Sequence, residues 1–378
     1  MKILLAAGGT AGHINPAISI ADLLGRELAD AEIVFVGTPS GMENRLVTEA
    51  GYSIRHVDVT GFKRRLTVAN LGTLWKALQA GKAAKAILRE EMPSLVIGTG
   101  GYVCYPILKM ASKMGIPTAI HESNARAGLT VRLLARHVST VMLGLPSAKQ
   151  SLKSARRTVV TGNPIRAEFH RLTREDARSS LHLKRDDLLL LSFGGSLGAN
   201  TINQAMREAI PILLKKHPRL HIVHATGADH YTEFSQEING YLTAEAKRID
   251  IRPYISDIPR LMLAADLLLS RSGAMTLSEA AFTGTPAILV PYPYATDDHQ
   301  TKNALSLAES GGAAVIRDAE LTGESLSKEV SRLLSDGQAR RHMRQMMYRF
   351  APRDAEARIL NELRSLLSSS AVDQSALR

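Results

Sequence analysis

Two stretches of this chain open in the same way. Lys2–His13 reads KILLAAGGTAGH and Leu188–Asn200 reads LLLLSFGGSLGAN: a hydrophobic run, then Gly-Gly-hydroxyl-x-Gly, then a helical pattern. A strand that ends in a glycine turn and feeds a helix opens a βαβ unit, so its double occurrence implies two similar doubly wound domains. The rest of the sequence agrees. Short apolar runs alternate with longer helical patterns, as in parallel sheets covered by helices. Strands are expected at Lys2–Ala7, Glu32–Val36, Ile54–Val59, Leu95–Gly98, Thr118–His121, Ser139–Leu143 and Arg157–Thr161. A second series is expected at Leu188–Phe193, Leu220–Ala225, Ile249–Arg252, Asp266–Ser270, Ala287–Val290 and Ala313–Ile316. Most are Leu-rich or β-branched, the composition of strands buried on both faces. A length of 378 residues accommodates two such domains at roughly 150 residues each.

The boundary is expected at Asn163-Pro164-Ile165-Arg166, because Pro164 disfavours helix before it. The first domain then covers residues 1–163 and the second 164–345. Gln338–Leu367 reads as one charged, amphipathic closing helix, with the part from about residue 346 to 367 packing back on the first domain. The last stretch, 368–378 (SSSAVDQSALR), has no apolar periodicity and is expected to be disordered.

Composition narrows the function. Aromatics are 4% of residues, too few for a base-stacking platform on single-stranded nucleic acid. The lone Cys104 cannot form an intrachain disulfide or a zinc cluster, which fits a reducing cytoplasm. Basic residues number 47 against 36 acidic, a net charge of +11, which favours an anionic partner: nucleic acid, a membrane surface or a phosphorylated substrate. No apolar stretch approaches the ~18 residues of a membrane span. The run Ile3–Ala7 is too short for a signal-peptide core.

The chemistry is expected at strand ends. Gly8-Gly9-Thr10-Ala11-Gly12-His13 is a glycine turn whose backbone N–H groups can face a ligand, although it matches neither G-x-G-x-x-G nor a Walker A loop. A plain tight turn, with His13 an exposed helix-start residue, is the competing reading. Gly98-Thr99-Gly100-Gly101-Tyr102 and His121-Glu122-Ser123-Asn124 follow other strands of the first half. Ligands of open α/β sheets sit outside the carboxyl ends of strands, so His13, Tyr102, Glu122 and Asn124 should gather on one edge. The alternative for His121-Glu122 is a buried pair tying two loops together.

In the second half, Gly194–Ala199 repeats the first turn, and Ser270–Glu279 (SRSGAMTLSE) ends a strand in a small-residue loop that opens a helix. Both suit a phosphate group. For Glu279 a capping box, Thr276-x-x-Glu279, is the sober reading. Pro291–Leu305 (PYPYATDDHQTKNAL) is a polar loop leading into a helix, and the adjacent Asp297-Asp298 pair lacks D-x-D spacing. No metal or organic cofactor is indicated.

Taken together these segments resemble the MurG family of bacterial glycosyltransferases over nearly the whole chain, roughly Met1 to Leu367. The carriers are Gly8–Ala17, Gly98–Pro106, His121–Gly128, Thr161–Arg166, Gly194–Ala199, Arg271–Glu279 and Asp298–Ala304, seven motifs in register. The resemblance implies an α/β GT-B fold: two Rossmann-like, doubly wound domains facing across a cleft. It implies an inverting transfer of N-acetylglucosamine from UDP-GlcNAc to lipid I (undecaprenyl-pyrophosphoryl-MurNAc-pentapeptide), giving lipid II for peptidoglycan. Carried over by position, the substrate-binding residues of the donor site are Thr10, Ala11, Gly12, Asn124, Arg166 and Ser196, with the backbone of Ile255 reading uracil. Ala274, Met275, Thr276, Leu277, Ser278 and Glu279 hold the diphosphate and ribose, and Gln300 grips the sugar. Asn124 and His13 lie where acceptor and sugar meet. His13 is the candidate base and Glu122 its rival.

The sequence departs from the family pattern at Ser123 and Leu197, where Gln is usual, and His299 stands where some members carry a second Gln. Rival functions are another GT-B sugar-nucleotide enzyme, such as a glycolipid synthase or UDP-GlcNAc epimerase, and a basic nucleic-acid-binding protein. The resemblance puts the protein at the cytoplasmic face of the inner membrane, as a peripheral protein near a cell-wall synthesis complex, without a nucleic-acid partner. Gly61–Arg89 offers a means: Lys63, Arg64, Arg65, Lys76, Lys82, Lys85 and Arg89 are interleaved with Leu71, Leu74, Trp75 and Leu78. Burial of those leucines in the domain core is the competing reading.

Overall fold

The computed structural model describes residues 1–59, 70–195, 197–241 and 246–376. The chain forms two compact units, Met1–Pro164 with Asp354–Arg378, and Ile165–Arg353.

Among the described residues the first unit holds seven strands: β1 (Lys2–Ala6), β2 (Glu32–Gly37), β3 (Ser53–His56), β4 (Leu95–Gly98), β5 (Thr118–Glu122), β6 (Thr140–Leu143) and β7 (Thr158–Val160). All pair in parallel, in the order β3-β2-β1-β4-β5-β6-β7. Successive side chains of a strand point to opposite faces, and both faces here are covered by helices. Leu4, Ala6, Val34, Val36 and Val96 enter one core; Ile3, Leu5, Ile33, Phe35 and Ile97 enter the other. That is why these strands are unbroken apolar runs rather than alternating ones.

The second unit repeats the plan with β8 (Leu188–Phe193), β9 (Leu220–Ala225), β10 (Ile249–Arg252), β11 (Leu267–Ser270), β12 (Ala287–Leu289) and β13 (Ala313–Val315). Their order is β10-β9-β8-β11-β12-β13, again all parallel. Leu190, Ile222 and Leu269 pack on one face, and Leu189, Leu191 and Leu268 on the other.

The closing helix differs from expectation. It is two helices, Gly337–Phe350 and Ala355–Ala376. The break falls at Ala351, whose backbone is extended (φ −126°, ψ 140°) because Pro352 follows it. The first of the pair belongs to the second unit, and the last helix belongs to the first unit. There Ile359, Leu360 and Leu363 fill the core beneath Ile14–Leu24, and buried Glu362 accepts from Thr140 Oγ1 and Arg157, both at 2.8 Å. The segment expected to be disordered from residue 368 continues as helix to Ala376, since neither Gly nor Pro interrupts it. The basic cluster Lys63–Arg65 and the side chains of Leu71, Leu74, Trp75, Lys76 and Leu78 lie outside the described residues. Beyond them, Ala80, Ala84 and Leu88 are buried while Lys82, Lys85 and Arg89 are exposed.

Candidate functional site

In each sheet the strand order reverses once, and there adjacent loops leave in opposite directions and open a crevice. In the first unit the reversal lies between β1 and β4, in the second between β8 and β11. Each glycine-rich segment noted in the sequence leaves one of these four strands.

At the first reversal, Gly9 turns with φ +90° and Thr10 begins the helix Ala11–Glu27 without capping it through its side chain. Thr10 and Gly12 are exposed and Ala11 is half-buried. His13 lies in the first helical turn, its Nδ1 3.2 Å from the Gly8 carbonyl and 3.4 Å from Thr10 Oγ1. A carbonyl only accepts, so in the neutral ring Nδ1 donates to it and the lone pair falls on Nε2. The Thr99 hydroxyl donates to the His13 carbonyl at 2.7 Å, joining the two loops. Gly100 passes directly over the imidazole: a Cβ there would stand 2.9 Å from Nε2. At Gly101 (φ +88°) a Cβ would collide with the Gly8 carbonyl, so only glycine permits this loop contact. Tyr102 is exposed beside it.

Two buried carboxylates tie this edge together. Glu122, at the end of β5, accepts from the Asn124 N–H and side-chain amide through Oε1 and from the Gly128 N–H through Oε2, all at 2.9 Å. The sheet order places its loop next to that of β4, two strands from His13. His121 faces the core, where its Nε2 bonds the Gly162 carbonyl at 3.0 Å and burial pushes its pKa down to about 4. The second carboxylate, Glu43, was not singled out by the motifs. It is fully buried, with Oε1 taking the Thr38 N–H at 2.8 Å and the Thr38 hydroxyl at 2.6 Å, and Oε2 taking the Gly9 N–H at 3.2 Å. Burial alone would raise its pKa, but these donors outweigh it and hold the group below the ordinary carboxylate value. The available signal was glycine at 37 and 41 around it: a Cβ at either would strike the Glu43 side chain.

At the second reversal, Gly195 (φ +107°) starts a turn closed by the Gly198 N–H on the Gly195 carbonyl at 3.0 Å. Gly198 (φ +80°) then runs against the Thr226 carbonyl, where a Cβ would collide. Ser196 lies outside the described residues, and Leu197 is 86% exposed. From β11, Arg271 gathers the neighbouring loops: it pairs with Asp318, donates to the Val290 and Pro291 carbonyls at 3.2 and 3.3 Å, and stacks over Tyr292.

The next helix, Ala274–Thr283, starts after Gly273 with no side-chain cap. The capping box is therefore overturned: Thr276 lies inside the helix and Glu279 in its second turn. Ala274, Leu277 and Ser278 are buried, and Met275 and Thr276 half-buried. Glu279 is also buried and binds Arg166 Nε through Oε1 at 2.9 Å. Burial raises its pKa, with Arg166 opposing and Glu168 adding to the rise. Gln300 Oε1 accepts from the N–H groups of Ser272 (3.2 Å) and Tyr292 (3.0 Å), which leaves its amide nitrogen as a donor. Ile255 is buried in the loop after β10, beside exposed Tyr254. Among the described residues, no group of three or more His, Cys, Asp or Glu side chains could hold a metal ion.

Residues 3–143 match the glycosyltransferase family 28 N-terminal domain and residues 189–359 the glycosyltransferase family 28 C-terminal domain. The fold and these two matches define a two-domain glycosyltransferase of the GT-B class. Among its relatives is the UDP-N-acetylglucosamine–N-acetylmuramyl-(pentapeptide) pyrophosphoryl-undecaprenol N-acetylglucosamine transferase of Desulforamulus reducens, 40% identical over 91% of this chain and 92% of the relative. The protein of that name from Thermoanaerobacter sp. is 39% identical over 97% of this chain and 100% of its own. The crystal structure of Acinetobacter baumannii MurG superposes with a TM-score of 0.76 at 29% identity, covering 95% of this chain and 98% of that one. The chain belongs to this MurG family of glycosyltransferases. A putative UDP-N-acetylglucosamine 2-epimerase from Listeria monocytogenes shares the fold alone, with a TM-score of 0.68 at 16% identity over 98% of this chain and 97% of its own.

Proposed function

We propose that this enzyme transfers N-acetylglucosamine from UDP-GlcNAc to the muramoyl 4-hydroxyl of undecaprenyl-pyrophosphoryl-MurNAc-pentapeptide, with inversion. The observation that carries the reading is the second unit's crevice. There the uncapped helix Ala274–Thr283, a carboxylate held by Arg166 and the oriented amide of Gln300 stand on neighbouring strand ends. Free N–H groups at a helix start suit a diphosphate, a carboxylate suits two ribose hydroxyls, and an amide donor suits a sugar hydroxyl. Ala274–Ser278 with Ser196 serve the diphosphate, Glu279 the ribose, the Ile255 backbone the uracil and Gln300 the sugar. Arg166 holds the Glu279 carboxylate and opposes the rise in pKa that burial imposes on it.

From the first unit, Thr10, Ala11, Gly12 and Asn124 add to the donor's binding groups, and Asn124 and His13 serve the place where acceptor and sugar meet. The acceptor oxygen attacks the anomeric carbon opposite the diphosphate. The new C–O bond forms as the bond to the β-phosphate oxygen breaks, and UDP leaves with the electron pair. His13 Nε2 takes the hydroxyl proton, since both oxygens of Glu122 are already engaged by N–H donors. The leaving charge falls to the helix start and its backbone N–H groups, and no step requires a metal.

No described helix is long and apolar enough to cross a membrane. A polyprenyl acceptor places the work at the inner face of the cytoplasmic membrane. The exposed Lys82, Lys85 and Arg89, continuing the basic segment from Lys63, favour peripheral contact with anionic lipid. The deciding assay follows UDP release and product from UDP-GlcNAc and a soluble lipid I analogue. Expected is a β-linked disaccharide in step with UDP, retained in EDTA. Epimerised donor, or UDP release without a disaccharide, would overturn the reading.

A further inference from the structure

From the geometry we infer that Glu43 is a positioning residue for sugar transfer, locking the Gly8–Thr10 turn that carries His13. The inference rests on the function proposed above and on a contact none of the site motifs includes. Glu43 begins the short helix Glu43–Glu49, on the far side of β2 in sequence from the β1 loop. Its two oxygens do different jobs. Oε1 is clamped by the N–H and hydroxyl of Thr38, at 2.8 and 2.6 Å, which fixes the carboxylate to the end of β2. Oε2 then takes the N–H of Gly9 at 3.2 Å.

Gly9 is where the β1 turn takes its positive φ of +90°, and its peptide sets the direction in which the chain enters the helix holding His13. The Gly8 carbonyl that orients His13 Nδ1 belongs to the same peptide as the Gly9 N–H. One planar unit thus joins Glu43 to the imidazole: carboxylate, Gly9 N–H, Gly8 carbonyl, Nδ1. A rotation of that peptide would turn the carbonyl away from the ring and release both the tautomer and the aim of Nε2. The cage is built to prevent it. A Cβ at Gly8 would stand 2.9 Å from Glu43 Oε1, and one at Gly41 would collide with both carboxylate oxygens. Asn44, next in the chain, donates to the carbonyls of Thr38, Pro39 and Gly41 at 2.9, 3.1 and 3.0 Å and so closes the loop around the carboxylate. A fully buried acid whose hydrogen-bond donors all come from the loops after β1 and β2 is better suited to holding a shape than to filling a core.

The test compares Glu43→Gln with Val47→Ala in the full chain. Val47 is buried on the same helix but touches neither loop through a polar bond, so its variant reports destabilisation alone. Two readouts are taken: amide hydrogen exchange of the peptide spanning residues 5–20, and kcat with KM for UDP-GlcNAc. Glu43→Gln should speed exchange at Gly8–Thr10 at least about tenfold and lower kcat about 10–100-fold, the size of a small misplacement of a reacting group. The KM for UDP-GlcNAc should stay within about twofold. Val47→Ala should lower Tm while leaving loop exchange and kcat near wild type. Should Glu43→Gln not fold, Thr38→Val removes one donor and keeps the charge, with kcat expected about three- to tenfold lower. Unchanged kcat, with or without faster exchange, overturns the inference, as does an equal loss of kcat in Val47→Ala. A wild-type chain without transferase activity removes the proposed function first, and is thereby distinguishable from an active wild type whose Glu43 variant is equally active.

Discussion

The two glycine openings that look alike in sequence do not fold alike. In the first unit, Gly8-Gly9-Thr10 is followed at once by helix, which begins at Ala11, so His13 falls within the first turn. In the second, Gly194–Gly198 closes a turn first and the helix waits until Asn200. The residue matching His13 is Ala199, which only precedes that helix. The cause is local: Gly198 takes φ +80° where the loop runs against the Thr226 carbonyl, whereas Gly12 lies inside the helix. The charges differ as well. The first crevice spends its carboxylates, Glu43 and Glu122, on backbone N–H groups and brings an imidazole to the edge. The second brings Arg271, Arg166 and an uncapped helix start. In the function proposed above, one edge receives a proton and the other, through its uncapped helix start, an anion, from a single repeated motif.

The sharpest way to break that division is His13→Ala. Removal of a general base lowers kcat by about 10²–10⁴-fold, and UDP should still bind with its wild-type affinity because the anion-receiving edge is intact. A kcat within a few-fold of wild type across the pH range would return the proton-accepting role to Glu122.

Next in size is Glu279→Gln. The neutral amide keeps an oxygen for Arg166 Nε but loses the charge-assisted bonds to ribose hydroxyls, so KM for UDP-GlcNAc should rise about tenfold or more with little change in Tm. A fall in Tm at unchanged KM would make Glu279 a purely structural partner of Arg166. The pH dependence sharpens this. Burial raises the Glu279 pKa and Arg166 opposes the rise, so donor affinity is lost as pH falls through that raised value. Arg166→Ala removes the opposing charge, and the acid limb of the KM profile should move to higher pH.

How far the sequence carried this comparison depends on the range of the interaction. Both sheets were legible because strands buried on two faces are unbroken apolar runs, and β4, β8, β9 and β10 lie within the bounds read from sequence. The edge strand β3 was not: Val57 is buried and its N–H bonds the Gly37 carbonyl, but regular pairing stops one residue before it, so Ser53–His56 ends three residues early. Pro352 in RFAPRDAE was passed over because the amphipathic pattern resumes beyond it. Thr276-x-x-Glu279 has capping-box spacing, but the helix starts three residues earlier, with Gly273 rather than Thr276 at its cap position. The pairing of Arg166 with Glu279 spans 113 positions and follows no local spacing rule. Glu43 is a lone acid in a polar loop, and only packing makes it an anchor.

Each unit also keeps one buried neutral histidine, His121 on β5 and His224 on β9. Burial pushes both pKa values down to about 4, against about 6.5 in the unfolded chain. A depressed pKa means the unfolded chain binds the protons, so this stability is intact above about pH 6.5 and lost progressively as pH falls toward about 4. The loss is at most about 3 kcal/mol for each group. Melting curves between these pH values should show Tm falling with acid, and less steeply for His224→Gln. A slope unaltered by that substitution would assign the acid sensitivity to other groups.

The smallest effect expected comes from the residue that most visibly separates the two turns. Leu197 is 86% exposed, while its counterpart Ala11 is half-buried at a helix start. An exposed side chain contributes little packing, and surface substitutions of this kind alter stability by at most about 0.5 kcal/mol. Leu197→Gln, which restores the usual family residue, should therefore leave Tm unchanged. Any effect should fall on the donor, since the turn leaves β8 at the crevice assigned to UDP-GlcNAc, and a single added polar contact from an exposed position is worth a change in KM below about fivefold. The proton-accepting edge should not register it: kcat at saturating donor and the acceptor KM should match wild type. A change in acceptor KM larger than that in donor KM would show that this turn does not serve the donor alone, and the division of labour between the two openings would have to be redrawn.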